Sequence, residues 1–427
     1  MAILRIAGSD ATQKIKTACD LVLDGTDDVG DINTFLADYT EGNHVINVYR
    51  TIYVTGNITK RLNHSWRGMC GRLKMNDALS TAQYIGGFIC EEGNHNNTYI
   101  RDFELDGNET GCPDAEATAY SHGITYETYD DPVSPTVQGI ATNVRLKNIH
   151  SHGWIRSCIV PGPDWIAADL RCGNSRQDHL FYSSGSGNVN VNNLYMYGYS
   201  NGALHVSGAT FTLNPTPPED INIKNVTLME CTSAADGTHI HIRSRFAGAG
   251  GVMTLPCKRV NIDGLKIRNT VQFNGFTIYV GHNWDENEAG GMCEDISITG
   301  LDVSVNSYYV VGKILRSKNI KISGNISLIG NDTDQPMFLL YGGGPDVNNY
   351  DFSECGLTSQ NYDTHTEHSS IFGINGDKEI KGINLSDVTI TNADVFRRMS
   401  GTAVLSSVIT DGLVYDKDYN PDDITIN

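Results

Sequence analysis

No run of apolar residues among these 427 is long enough to cross a membrane as a helix. The opening Met1-Ala2-Ile3-Leu4-Arg5 also lacks the basic start and long apolar core of a secretory signal. The expectation is a soluble chain that does not leave a cell by that route. Cations are scarce too: 31 Lys and Arg against 50 Asp and Glu leave a net charge of -19. Phosphate binding needs clustered Lys and Arg, so this charge argues against a nucleic-acid partner. The same charge weighs against a highly anionic glycan unless a local basic patch overrides the average.

The ten cysteines contain no CxxC pair and no Cys/His cluster at zinc spacing. They read as small buried fillers, with one or two disulfides left open. No cofactor and no metal is implied. Asp351, Glu354, Asp363, His365, Glu367 and His368 crowd one segment without a ligand spacing, so that segment reads as a polar loop.

What is present is a repeat: apolar, any, apolar, any, then Asn, Asp or Gly, then apolar. It reads Thr98-x-Ile100-x-Asp102-Phe103, Val144-x-Leu146-x-Asn148-Ile149, Trp165-x-Ala167-x-Asp169-Leu170 and Val189-x-Val191-x-Asn193-Leu194. Ile221-x-Ile223-x-Asn225-Val226, Val260-x-Ile262-x-Gly264-Leu265, Ile296-x-Ile298-x-Gly300-Leu301, Ile320-x-Ile322-x-Gly324 and Ile383-x-Leu385-x-Asp387-Val388 continue it. Each copy is two period-2 strands meeting at a bend, where Asn, Asp and Gly tolerate a left-handed backbone. Stacked Asn amides can also hydrogen-bond from coil to coil. The closest copies lie about 21 to 24 residues apart, one turn of a solenoid with three short strands. Few hairpin turns intervene, which disfavours an antiparallel sandwich. The expected fold is all-β, a right-handed parallel β-helix.

A third strand follows each motif, as in Ser121-His122-Gly123-Ile124, Asn201-Gly202-Ala203-Leu204-His205, Asp236-Gly237-Thr238-His239-Ile240-His241 and Asn274-Gly275-Phe276-Thr277-Ile278-Tyr279. Gln177-Asp178-His179-Leu180-Phe181 fills the slot without the glycine. Extra residues near 128–140, 208–218, 245–257, 282–293 and 341–366 all follow this strand. Insertions from one corner build a wall along one face, or else protect the sheet or serve a subunit contact. Residues 1–40 read as an N-terminal segment ending in a short amphipathic helix that covers the first coil. Residues 41–415 read as the solenoid, and 416–427 as a polar tail or end cover.

With these residues in view, the chain resembles the pectate-lyase-like β-helix superfamily, and within it the tailspikes and depolymerases of tailed viruses. Asp24-Gly25-Thr26-Asp27-Asp28 with Ile32-Asn33 is similar to the opening motif of those proteins. The resemblance implies a frequent homotrimer that binds a cell-surface or capsular polysaccharide, on a virion tail or otherwise extracellular. A non-catalytic receptor-binding spike and a structural adhesin remain alternatives. The polygalacturonase series of that superfamily is absent, and Asn331-Asp332-Thr333-Asp334 echoes it only superficially.

If Leu180, Leu204, Ile240 and Ile278 point inward, Phe181, His205, His241 and Tyr279 form an outward column. Coils stack about 4.8 Å apart, so His205, His241 and Arg243 are expected to meet. Imidazoles move protons near neutral pH, and a guanidinium holds a carboxylate. Asp178 and Asp236 begin the same strand two coils apart, roughly 10 Å. That is near the roughly 6.5–9.5 Å of an inverting glycosidase. The expected activity is depolymerisation of the polysaccharide, by a glycoside hydrolase using this pair ahead of a lyase using His205 or His241 with Arg243. Asp236 also reads as a turn residue before Gly237, and the cationic cluster as solvated surface. Glu127, Arg156, His179, Tyr279 and Trp284 are candidate substrate-binding residues. Trp154 is a further stacking candidate, Trp165 is assigned to packing, and Tyr195, Tyr197 and Tyr199 line one strand face.

Overall fold

A computed structural model describes residues 1–26, 28–76, 85–109, 121–129, 137–176, 178–185, 187–207, 217–247, 253–273, 275–282, 292–307, 311–315, 317–329, 335–342, 348–359 and 370–427. They fall into two compact units, one built from 1–200 and the other from 201–207 and 217–427. Each unit is right-handed parallel β-helix.

In the first unit, strands Ala2–Ala7, His44–Val54, His64–Met75, Tyr99–Asp106, Arg145–His152 and Ile166–Gly173 pair in parallel, each with the next coil. The register is in phase with the repeat: Ile100, Leu146, Ala167 and Val191 are directly opposite one another, and so are Phe103, Ile149, Leu170 and Leu194. All eight are buried. A one-residue slip would turn that apolar set to solvent, which is why the register is fixed. The second unit repeats the scheme with Ile223, Ile262, Ile298 and Ile322 in line.

The bend residue of the motif adopts the left-handed conformation: φ is 62° at Asp102, 53° at Asn148, 57° at Asp169, 60° at Asn193 and 71° at Gly264. Side chains there also bond from coil to coil. Asn148 Nδ2 donates to Asp102 Oδ1 at 3.0 Å and Asn193 Nδ2 to Asp169 Oδ1 at 2.8 Å.

Asp28 explains the Asp24–Asp28 motif. Its buried carboxylate accepts from Gly25 N at 2.9 Å and Tyr53 N at 2.7 Å. It thereby ties the helix Asp28–Leu36, which buries Val29, Ile32 and Leu36, to the strand His44–Val54. Parallel pairing already includes Ala2, and backbone bonds from Val395 and Phe396 reach Asp418 and Tyr419. Residues 2–7 and 418–419 are thus bonded to the strands beside them.

Two of the extra segments fold back antiparallel: Glu127–Tyr129 against Val137–Thr142, and Arg245–Ala247 against Met253–Leu255. The eight cysteines whose side chains are described are free thiols. Cys257 and Cys293 stand on neighbouring coils, where Glu294 N donates to Cys257 O at 2.9 Å, and both are fully buried. Asp351 works within the fold, accepting from Asn384 Nδ2 at 3.0 Å. Asp363, His365, Glu367 and His368 lie outside the described residues.

Candidate functional site

In the second unit, the third strands occupy 238–244, Phe276–His282, Gly312–Leu315 and Phe338–Tyr341. Ile240 pairs with Ile278, and Val280 with Ile314 and then Leu340, all buried in the interior. Alternation then sends the intervening residues to the other face. There His241 pairs with Tyr279, and Tyr279 with Lys313.

This face is a stack of rings. The His205 and His241 centroids are 4.6 Å apart, and His241 meets Tyr279 edge-on at 4.7 Å. Lys313 Nζ lies 5.0 Å from the Tyr341 ring centroid and 5.6 Å from that of Phe276. Tyr279, Leu315 and Tyr341 form an apolar cluster, with Phe276 and Leu339 against it. His205, His241 and Arg243 retain only 1%, 5% and 8% of their exposure, so they are not solvated surface groups. Burying a guanidinium and two imidazoles on one face is costly for folding alone, and such clusters concentrate at functional sites.

The first unit carries a second constellation. Asp178 Oδ1 accepts from His179 Nδ1 at 2.5 Å and from His179 N at 3.0 Å. Burial raises the Asp178 carboxyl, but the His179 hydrogen bond and the charges of His179, Arg156 and His122 overcome it and bring it down to about 2. His122 is pushed down to about 4, chiefly by burial, with Arg156 lowering it further against the pull of Asp178. Ser157 N donates to His122 Nδ1 at 3.2 Å, which places the proton of the neutral ring on Nε2. The arrangement is a fixed carboxylate beside a neutral imidazole. His179 also stacks on Tyr182, centroids 5.7 Å apart.

Several expectations change. Phe181 is not in the outward column: Phe88, Ile124, Ile159 and Phe181 pair in line inside the coil, where Phe88 packs on Trp66 and Phe103. A bulky ring gains most from that buried line. Trp154 is no stacking platform, being fully buried with its indole donating to Leu105 O at 3.3 Å. Trp165 packs in the core as expected. Glu127 and Asp236 sit on strands, but their side chains lie outside what is described, and so does all of Trp284. The carboxylate pair therefore has no measured separation. His122, Lys313 and Tyr341 were missed. The signal for His122 was its place at the start of a third strand, where His179 also stands.

No family model matches the chain, and no curated protein matches it. Solved structures do. The A-module of the Azotobacter vinelandii mannuronan C-5 epimerase AlgE6 superposes with a TM-score of 0.65 at 13% identity, covering 92% of this chain and 95% of that one. A double mutant of the tailspike of E. coli bacteriophage HK620, in complex with a pentasaccharide, gives 0.52 at 10% identity. This chain spans 62% of that tailspike's length, with 91% of its own residues covered. The shared feature is the fold. This chain is a parallel β-helix protein like them. At such identities no residue role transfers from either, so the chemistry rests on the side chains described above.

Proposed function

We propose that the chain binds an acidic polysaccharide and acts on its uronate sugars by moving the C5 proton. The observation that carries this is the burial, on one face, of His205 and His241 in ring contact with Arg243 and Tyr279 at hand. Arg243 would neutralise the uronate carboxylate, which makes the C5–H acidic by stabilising the enolate that forms. His241, flanked by His205 and Tyr279, would take the proton. Expulsion of the C4 oxygen then leaves a C4–C5 double bond, whereas return of a proton to the opposite face inverts C5. The epimerase superposition at a TM-score of 0.65 supports looking for either outcome. Arg156 and His179 would extend binding in the first unit. The setting on this reading is a virion tail or a cell exterior, with a homotrimer as the assembly to test.

Digestion of a panel of uronate-containing capsular and cell-surface polysaccharides in D2O tests this. Deuterium at C5 or ultraviolet absorbance from the new double bond should appear, and H241A should lower the rate by about 100-fold or more. New reducing ends without either signal would move the assignment to a hydrolase, with D178N as the variant to lose them. Retention of a glycan without turnover would make the face a receptor site.

A further inference from the structure

On the other outward-facing sheet of the first unit, the residues after the bend form a second lateral array. His150, Arg171 and Tyr195 pair in line across three coils, and His152, Gly173 and Tyr197 make the neighbouring line. The Arg171 guanidinium carbon lies 4.8 Å from the Tyr197 ring centroid and 5.4 Å from that of Tyr195, while the side chain stays exposed. The ring of Tyr197 is itself fixed. Its hydroxyl is 2.8 Å from His150 Nε2, and a Cβ at Gly173 would come within 2.2 Å of its Cζ, so only glycine leaves room beneath it. The next coil supplies negative charge that is already engaged: Glu104 Oε1 is 3.3 Å from His152 Nε2 and 3.4 Å from Arg72 Nε.

A guanidinium set against two aromatic rings and hydrogen-bonded to the Tyr197 side chain has lost much of its rotamer freedom, yet it remains exposed, with donors left for a ligand. That geometry matches a carboxylate, for which the fork can donate two parallel bonds. In a chain of net charge -19, a cation held this way stands against the average field. The strands here are hydrogen-bonded on both sides, so a peptide cannot add as a further strand. Rings, hydroxyls and a fixed cation instead suit a sugar acid.

We propose that Arg171, seated on Tyr195 and Tyr197, is an exosite for the carboxylates of an acidic polysaccharide. The proposal rests on the uronate reading of the substrate and adds to it a second contact on a different sheet. It follows that long oligouronates bind more tightly than short ones, by a margin that Arg171 supplies.

The test is calorimetric titration of short and long oligomannuronate and oligogalacturonate into full-length protein carrying H241Q, so that no chain is consumed. R171A should then weaken binding of the long oligomers about tenfold and of the short ones far less. R171K, which keeps the charge and loses the fork, should fall between, and added salt should shrink the difference. Equal affinity of long oligomers for H241Q and H241Q/R171A overturns the exosite. So does a loss on R171A that R171K fully restores, since only the charge would then matter. Failure of the uronate reading looks different: the parent protein itself would leave both oligouronates unchanged, with neither deuterium at C5 nor new absorbance, a result read separately from the R171A comparison.

Discussion

At the scale of single residues, the protein places titratable groups where water is scarce and lets neighbours decide their charge. Asp178 stays ionised down to about pH 2 because His179, Arg156 and His122 compensate for its burial. Its folded value lies below the usual carboxylate value, so this interaction stabilises the fold above that range and is lost as pH falls through it. D178N should therefore lower stability at neutral pH by about 1–3 kcal/mol, measured by urea unfolding. The difference from the parent should shrink toward pH 2. A variant as stable as the parent at pH 7 would mean that the His179 contact contributes nothing net.

At the scale of elements, the motif residue at each bend does two things at once. It takes a positive φ that most residues avoid, and it bonds to the equivalent residue of the adjoining coil. Asn193→Ala removes both and should cost about 1–2 kcal/mol. Asn193→Gly keeps the backbone freedom and loses only the bond to Asp169, so its midpoint should fall by less. Equal losses in the two would assign the whole effect to the hydrogen bond. The outward residues of the third strand are instead chosen by what they face, which is why His241, Tyr279 and Lys313 differ in type at paired positions.

At the scale of the whole molecule, several histidines are held neutral by burial, nearly complete at His122 and His95 and partial at His150. His122, His95 and His150 are each pushed down to about 4, with burial the largest cause in every case. Their folded values lie below the unfolded one, so the unfolded chain binds more protons between about pH 4 and 6.5. Stability should fall as pH drops through that window. The fully buried His122 alone supplies a term on the order of 3 kcal/mol. Lys60 acts at the other end. It is buried, with Nζ 2.8 Å from His95 Nδ1 and from Thr98 Oγ1, and is lowered to about 8. Here too the unfolded chain binds more protons, between about pH 8 and 10.5, so stability should rise across that range. Denaturation midpoints at pH 4.5, 6, 7.5 and 9 check both limbs, the pH values being chosen to bracket roughly these ranges. A flat profile would count against the buried neutral histidines.

The sequence by itself determined the coil. Period-2 apolar residues around an Asn, Asp or Gly bend, recurring about once per turn, leave only one way to bury them: in register, coil on coil. Ile100, Leu146, Ala167 and Val191 show that register directly. The pairing of His205 with His241 was legible for the same reason, because alternation along a strand is local. What only the tertiary structure decided was which polar groups are shielded and which partners they meet. Exposure of a histidine depends on chain far away in sequence, so solvated and buried readings of His205 and Arg243 could not be separated beforehand. The strand carrying Phe181 broke the alternation argument, since Phe181 lines up with the interior Ile159 while its neighbour Leu180 is fully buried as well. The hold of His150 and Gly173 on Tyr197 likewise needed the fold, since 47 residues separate that histidine from the tyrosine.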